Sequence, residues 1–327
     1  MFYNLGLNRK ILLILPVFDG EFGVGVFFVI SGFLITSLLM NEEEKTGTIS
    51  LRNFYTRRIL RIFPAYYFLL LIYFILQIVH FLYIPPLAWA TALTYTKYLN
   101  YSVEPNTAHA WSLSLEENFY LLWPIIFIRF KRIRRQMTIV QLIIFPIFRS
   151  YLVLYAPEWI DHLILLTRME AIAMGCYFAL YKEEWLVKCS PQWNRLFYGC
   201  LAAIWIISWV AAWAEKIHRD LIFVPLGVLN GPMANFIIGI VMLYSVYGPK
   251  GNWYKVLNSG ISNYIGMLSY SLYLWQQLFL FTNYSWMAQA PQNVFFAVGA
   301  AMFSYYVIER PFLKLKAIFS AKKVNKA

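Results

Sequence analysis

The amino-acid sequence predicts an all-α protein that crosses a membrane several times. Its 327 residues are 60% hydrophobic and only 13% charged, which is far from the composition of soluble domains. Apolar stretches of about the length that a bilayer requires recur along the chain, and basic residues gather in alternate loops between them. Because the +12 net charge is distributed in this way, it indicates a membrane topology, and we predict no nucleic-acid partner.

Nine apolar stretches define a predicted polytopic transmembrane domain over residues 22–313. Most of them reach or approach the ~20 residues that a membrane helix needs. They are Phe22–Met40, Ile62–His80, Glu116–Phe130, Met137–Tyr155, Leu163–Tyr181, Phe197–Trp213, Leu221–Tyr247, Ile261–Phe281 and Asn293–Phe312. In the first, Gly23, Gly25 and Gly32 predict close packing against another helix. The seventh contains a polar Asn230–Pro232 segment, so it is either one long broken helix or two half-spans around a polar break.

The distribution of Lys and Arg predicts which loops face the cytoplasm. The basic loops contain Lys45–Arg61, Arg129–Arg135, Lys182–Arg195 and Lys250–Lys255. By the positive-inside rule these loops are cytoplasmic, and so is the basic tail of residues 314–327. Residues 1–21 hold only a short apolar run, Ile11–Phe18, which is too short to cross a bilayer. We expect this segment to be degenerate or truncated.

The segment AHAWSLSLEENFYLLWP, residues 108–124, places ionisable side chains where an outward-facing loop enters a membrane helix. Such groups are costly to desolvate, so they indicate a functional site. We expect the helix to begin near Ser112, with Ser114 and Glu117 forming a capping box. The alternative is that Glu116 and Glu117 only cap the helix and complement its dipole, while aromatic residues form an interfacial belt.

Six short motifs follow one another along the chain. They are GVGVFFVISGFLIT (23–36), RRILRIFPAY (57–66), AHAWSLSLEENFYLLWP (108–124), TRMEAIAMG (167–175), SYSLYLWQQ (269–277) and IERPF (308–312). In this order they resemble the membrane-bound acyltransferase-3 family. The resemblance implies a ten-helix fold, of which about nine spans are present here, in the inner (plasma) membrane. It also implies transfer of an acyl group, usually acetyl from acetyl-CoA, to a hydroxyl of a cell-surface polysaccharide, lipopolysaccharide, peptidoglycan or secreted glycoside.

The resemblance places the donor site at Arg57, Arg58 and Arg61. Coenzyme A carries several phosphate charges, and guanidinium groups bind phosphate through paired, charge-assisted hydrogen bonds. Since Arg57 and Arg61 are four residues apart, they share one face of a helix. The alternative is an ordinary basic anchor that touches anionic membrane lipids.

The resemblance places the catalytic residues of the acceptor site at His109 and Glu116. Acylation of a sugar hydroxyl requires a base, and the ordinary pKa of His lies near the operating pH. The spacing of the histidines matches no compact metal motif, so we predict no metal cofactor. The substrate-binding residues carried over from the resemblance are Trp111, Glu117, Arg168, Glu170, Tyr273 and Gln276.

The chain departs from the family pattern at two places. The family's first helix normally carries a basic residue and a His, whereas here no His precedes His80. Many relatives also have His where Gln276 stands, and an amide exchanges no proton at neutral pH. Two other interpretations therefore stand beside the enzyme. One is an inactive, truncated acyltransferase homologue, and the other is a glycan or lipid transporter or flippase with its site at the Asn230–Pro232 segment.

Overall fold

The computed structural model describes residues 20–99, 104–155, 163–217, 220–280 and 285–321. Within these ranges the chain is helical and contains no β-strand, which confirms the predicted all-α class. The helices are α1 (Gly20–Thr46), α2 (Leu51–Ile78), α3 (Pro86–Leu93), α4 (Pro105–Ala108), α5 (Ala110–Arg129), α6 (Arg134–Tyr155), α7 (Met169–Leu180), α8 (Lys182–Cys189), α9 (Trp193–Ile217), α10 (Asp220–Tyr247), α11 (Asn252–Leu257), α12 (Gly260–Leu280), α13 (Ser285–Ala288), α14 (Gln292–Phe303) and α15 (Arg310–Ala321). Between them lie 3₁₀ turns at Lys97–Leu99, Ile164–Arg168 and Ser190–Gln192, and a π turn at Ser304–Glu309.

Two of these helices meet the length and hydropathy of a membrane span among the residues that the structure describes. They are Phe22–Thr46, within α1, and Leu51–Ile78, which is α2. The other predicted stretches also fall on helices, and their number as spans stays a prediction. The helix α10 runs through Asn230–Pro232 without interruption, so the break expected there in both alternatives is wrong, and the stretch is one helix.

The helices form two compact units, and the boundary between them falls within α5. The first unit contains the described residues of 50–114 and 258–321. In it, α12 packs against α14, and α2 packs against α15 and the π turn. Tyr66 and Tyr73 of α2 are fully buried in its core. The Tyr66 hydroxyl donates to the carbonyl of Ala92 at 2.8 Å, which fixes the end of α3 against α2.

The second unit contains the described residues of 20–49 and 115–257. Its most extensive helix contact is between α1 and α7, and it depends on Gly32. A Cβ atom at this position would lie 2.0 Å from the carbonyl oxygen of Ile172, so only glycine allows the backbones to approach so closely. The close packing predicted at Gly32 is confirmed. At Gly23 it is wrong, since a Cβ there would meet nothing within 4 Å, and Gly25 makes only ordinary contacts.

Candidate active site

His109 lies at the junction between α4 and α5 in the first unit. Because α5 begins two residues before the predicted start, Ser114 lies inside the helix and the predicted capping box is wrong. Glu104 caps the preceding helix instead. One of its oxygens accepts the N–H of Asn106, and the other accepts the N–H and the hydroxyl of Thr107 at 2.9 and 2.7 Å. This cap fixes the turn that presents His109.

The motif on α12 meets the His109 segment. The Tyr273 hydroxyl donates to the carbonyl of His109 at 2.5 Å, and the two rings lie edge to face with centroids 5.6 Å apart. Ser112 shares a hydrogen bond with the same hydroxyl. Gln277 donates from Nε2 to the carbonyl of Pro105 at 2.5 Å. The structure therefore brings His109 and Tyr273 together. It also adds Gln277 to this site, whereas the sequence had predicted the neighbouring Gln276.

His109 is half-buried as a residue, but both of its ring nitrogens are buried, and neither has a hydrogen-bond partner of normal geometry among the described residues. Burial lowers its pKa from the ordinary 6.5 to about 4, because desolvation disfavours the charged form. Backbone groups of Asn106 and Leu274 oppose this shift, and the charge of Lys97 adds to it. The ring is therefore neutral at physiological pH, and neutral imidazole is the form that accepts a proton.

Lys97, which the sequence did not single out, belongs to the same buried cluster. It is 0% exposed, and its Nζ has no hydrogen-bond partner in the described part of the chain. Its backbone N–H donates to the Ser114 hydroxyl at 3.3 Å, which joins the 3₁₀ turn to α5. Burial lowers the pKa of Lys97, and the nearby Glu104 carboxylate opposes that shift.

Glu116 lies in the second unit, on α5, and is only 3% exposed. The hydroxyls of Ser31 and Tyr120 both donate to its Oε1. One helical turn further on, the indole of Trp123 donates to the Thr36 hydroxyl at 3.0 Å, so α5 is joined to α1 twice. Because Glu116 lies inside α5 and accepts these hydrogen bonds, its expected alternative role as a helix cap is wrong.

Glu170 lies at the centre of a buried ion pair in the second unit. Its Oε2 is 2.9 Å from Nη2 of Arg149, and its Oε1 accepts from Nδ2 of Asn235 at 3.1 Å. Arg149 also donates to the hydroxyl and the carbonyl of Thr167 at 3.0 and 3.2 Å. A Cβ at Gly231 would lie 2.6 Å from Arg149 and 2.7 Å from Glu170, so glycine leaves room for the pair. This cluster joins α6, α7 and α10.

The predicted donor arginines lie at the start of α2. Arg57 and Arg58 are half-buried and Arg61 is exposed. Arg58 stacks with its guanidinium carbon 6.0 Å from the centroid of the Phe54 ring. A shallow recess of about 350 Å³ opens beside Arg57. It is lined by Arg52, Asn53, Thr56 and Arg57.

Sequence reasoning missed a buried carboxylate, Glu309, although it belongs to the IERPF motif. Glu309 ends the π turn and accepts a hydrogen bond from the hydroxyl of Ser271, which belongs to the α12 motif. Arg61 acts electrostatically on this carboxylate. The residue before Ser271, Tyr270, donates from its hydroxyl to the carbonyl of Ile62 at 2.9 Å. Three sequence motifs of the first unit therefore meet at Glu309. The presence of all three motifs in one chain was the signal that could have identified Glu309 from the sequence.

The charge of Arg168, one of the remaining predicted residues, acts on the Glu170 carboxylate. Trp111, Glu117, Arg168 and Gln276 are half-buried, and Arg168 ends the 3₁₀ turn before α7. In the described ranges no group of three or more His, Cys, Asp or Glu side chains is placed to hold a metal ion. Most of the predicted N-terminal segment, residues 1–21, lies outside the described residues, and so does the end of the basic tail.

Over the described residues the chain is helical, and two of its helices have the length and hydropathy of a membrane span, which fits the class of helical membrane proteins. The profile of an acyltransferase domain, acyltransferase 3, matches residues 2–310, and the chain belongs to this family. The chain is 24% identical over 279 residues to the peptidoglycan O-acetyltransferase OatA of Listeria monocytogenes, covering 78% of this chain and 44% of that protein.

A second relative is the O-acetyltransferase OatA of Staphylococcus aureus. It is 28% identical over an alignment of 334 positions, which covers 90% of this chain and 53% of the relative. The chain thus spans about half the length of the curated relatives it matches. No solved structure matches it.

Proposed function

We propose that this protein is a membrane O-acyltransferase that moves an acetyl group from acetyl-CoA to a hydroxyl of a cell-envelope carbohydrate, with peptidoglycan as the first acceptor to test. Membership of the acyltransferase-3 family and similarity to two O-acetyltransferases support the reaction class. We place the protein in the inner (plasma) membrane, in contact with its lipids and with the C-terminal tail in the cytoplasm.

The observation that carries the proposal is the arrangement along α2. Its first turns hold the three arginines, and further along the Tyr73 hydroxyl donates to the carbonyl of Asn106 at 3.0 Å, three residues before His109. Arg61 and Tyr73 are twelve residues apart, which is about 18 Å at a rise of ~1.5 Å per residue. One helix thus connects a basic end to the segment of the candidate base, and this supports a donor site and an acceptor site at its two ends.

At the donor end we assign Arg57, Arg58 and Arg61 to the phosphates of coenzyme A. The recess beside Arg57 offers a guanidinium together with polar side chains, and α2 projects these arginines from adjacent turns. Guanidinium groups match phosphate oxygens with two parallel hydrogen bonds, so they suit a polyphosphate better than a single ammonium would.

At the acceptor end we assign His109 as the base. A neutral imidazole whose two buried ring nitrogens have no hydrogen-bond partner of normal geometry among the described residues can accept the proton of a sugar hydroxyl as that oxygen attacks the acyl carbonyl. Tyr273 holds the backbone of His109 and offers an aromatic edge to a sugar ring. Trp111 and Gln276 are assigned to acceptor binding.

Glu116 is assigned as the second catalytic residue, and Glu117, Arg168 and Glu170, which like it belong to the second unit, are assigned to substrate binding. The two hydroxyls that donate to Glu116 fix its orientation, and an ionised carboxylate only accepts hydrogen bonds. We assign it to orient the acceptor hydroxyl or to take its proton.

The experiment measures acetyl transfer by the purified chain in detergent, where both membrane faces are open. Labelled acetyl-CoA and peptidoglycan stripped of O-acetyl groups are the substrates, and free CoA thiol and ester-linked acetate are the products. We expect His109→Ala to lower kcat by about 100-fold or more, as loss of a general base does. Arg57→Met should raise KM for acetyl-CoA by about tenfold, the value of one charge-assisted hydrogen bond.

Matched controls are His80→Asn, an exposed histidine on a neighbouring loop, and Arg132→Met, an exposed basic residue outside α2. Both should behave like the wild type. If the wild-type protein releases no CoA thiol and esterifies no acceptor, the proposed function is wrong, and the inactive-homologue and transporter interpretations replace it.

A further inference from the structure

Lys97 is a buried lysine that has no role in the function proposed above. It is completely buried, and its ammonium has no hydrogen-bond partner among the described residues. Lysine near a membrane surface normally extends its charge to water, and an unpaired ammonium in a protein interior is among the most costly groups to bury. Such a cost is maintained where the charge meets a ligand.

The surroundings place Lys97 in the His109 cluster. Its backbone is hydrogen-bonded to Ser114, five residues after His109, and its charge acts on the His109 ring. The same cluster holds two further buried nitrogens without a hydrogen-bond partner of normal geometry, those of the imidazole. Two basic side chains with free donor or acceptor positions therefore share one buried region of the first unit.

Glu104 is the nearby acidic group, and it does not satisfy Lys97. Its two carboxylate oxygens are occupied by the N–H groups and hydroxyl at the start of α4. It acts on Lys97 through its charge, but forms no hydrogen bond with the ammonium. The ammonium donors of Lys97 therefore remain available to an incoming oxygen atom that carries negative charge.

We propose that Lys97 is a further catalytic residue, whose ammonium binds the negatively charged oxygen that forms on the acyl carbonyl during transfer. The inference rests on the proposed function, in which the donor is an acyl thioester. The hydroxyl oxygen of the acceptor bonds to the carbonyl carbon while its proton passes to His109. The carbonyl electron pair moves onto oxygen, beside Lys97. When the C=O bond re-forms, the C–S bond breaks, and the thiolate of CoA takes the proton from His109.

The test is Lys97→Met, which keeps the length of the side chain and removes its charge. Donors that stabilise such an oxygen contribute about 10²–10³ in kcat, so we expect kcat for acetyl transfer to fall by about 100-fold. KM for acetyl-CoA should stay within about twofold, since the donor arginines are unchanged. The matched control is Lys255→Met, an exposed lysine on α11, which should leave the rate unchanged.

Two further measurements separate catalysis from structural support. Because Met removes a buried unpaired charge, Tm of Lys97→Met should equal or exceed that of the wild type. A lower Tm together with wild-type kcat in the folded fraction would mean that the ammonium only supports the fold, and would overturn the proposal. In addition, Lys97 is one of the charges that lower the pKa of His109, so its removal should move the acid limb of kcat/KM to higher pH.

Wild-type kcat in Lys97→Met overturns the role of Lys97 and leaves the proposed function standing. A wild-type protein that transfers no acetyl group overturns both. If Lys97→Met yields no folded protein, Lys97→Gln gives the same decision, because its neutral amide should recover only a small part of the lost rate.

Discussion

Replacing Glu170 by Gln should lower the free energy of unfolding, because it leaves the buried charge of Arg149 without its ion-pair partner. The charged atoms are 2.9 Å apart and both residues are buried. At an effective dielectric constant of ~20, Coulomb's law gives about 6 kcal/mol for this separation, which desolvation of both charges partly offsets. Removing one partner leaves the other charge buried, which typically costs about 3–5 kcal/mol. Because Arg149 keeps its two hydrogen bonds to Thr167, we expect the lower value, about 3 kcal/mol.

The assay is reversible unfolding in mixed detergent micelles, applied to Glu170→Gln, Arg149→Met and the double variant. Each single variant should lose about 3 kcal/mol, and the double variant should lose about 2 kcal/mol less than their sum, as for residues in direct contact. Glu183→Gln, an exposed glutamate 3.1 Å from the ammonium of Lys182, is the matched control. Losses that add within about 0.5 kcal/mol, or singles that match the control, would refute the reasoning.

Three other predictions follow from the geometry. Activity should persist well below pH 6.5, because His109 stays neutral until the pH approaches its pKa of about 4, and a pH profile of kcat/KM checks this. Stability should fall as the pH drops from 6.5 towards 4, because in this range His109 binds a proton in the unfolded chain but not in the folded one. A pH profile of Tm checks this second effect. Gly32→Ala should cost about 1–3 kcal/mol through overlap with a backbone carbonyl, whereas Gly23→Ala, on the same helix, should be neutral in the same unfolding assay. Gly231→Ala should destabilise the wild type but cost less in the Arg149→Met background, because the steric conflict is with that side chain.

Local composition determined the class of this protein. Hydropathy is a property of neighbouring residues, so the apolar runs indicated the helices and the basic loops gave an expected topology before any contact was known. The six motifs predicted the family for the same reason, because they are read along the chain. Gly32 was also predictable, since a small residue on an apolar helix signals close packing.

Only the tertiary structure decided which polar groups meet. Glu170 pairs with Arg149, twenty-one residues earlier, and Ser271 meets Glu309, thirty-eight residues later. Lys97 joins the His109 cluster because a 3₁₀ turn is fixed to α5. These partners depend on which helix faces pack together and on which groups lose contact with water, and both are set by long-range packing that periodicity along the chain does not encode.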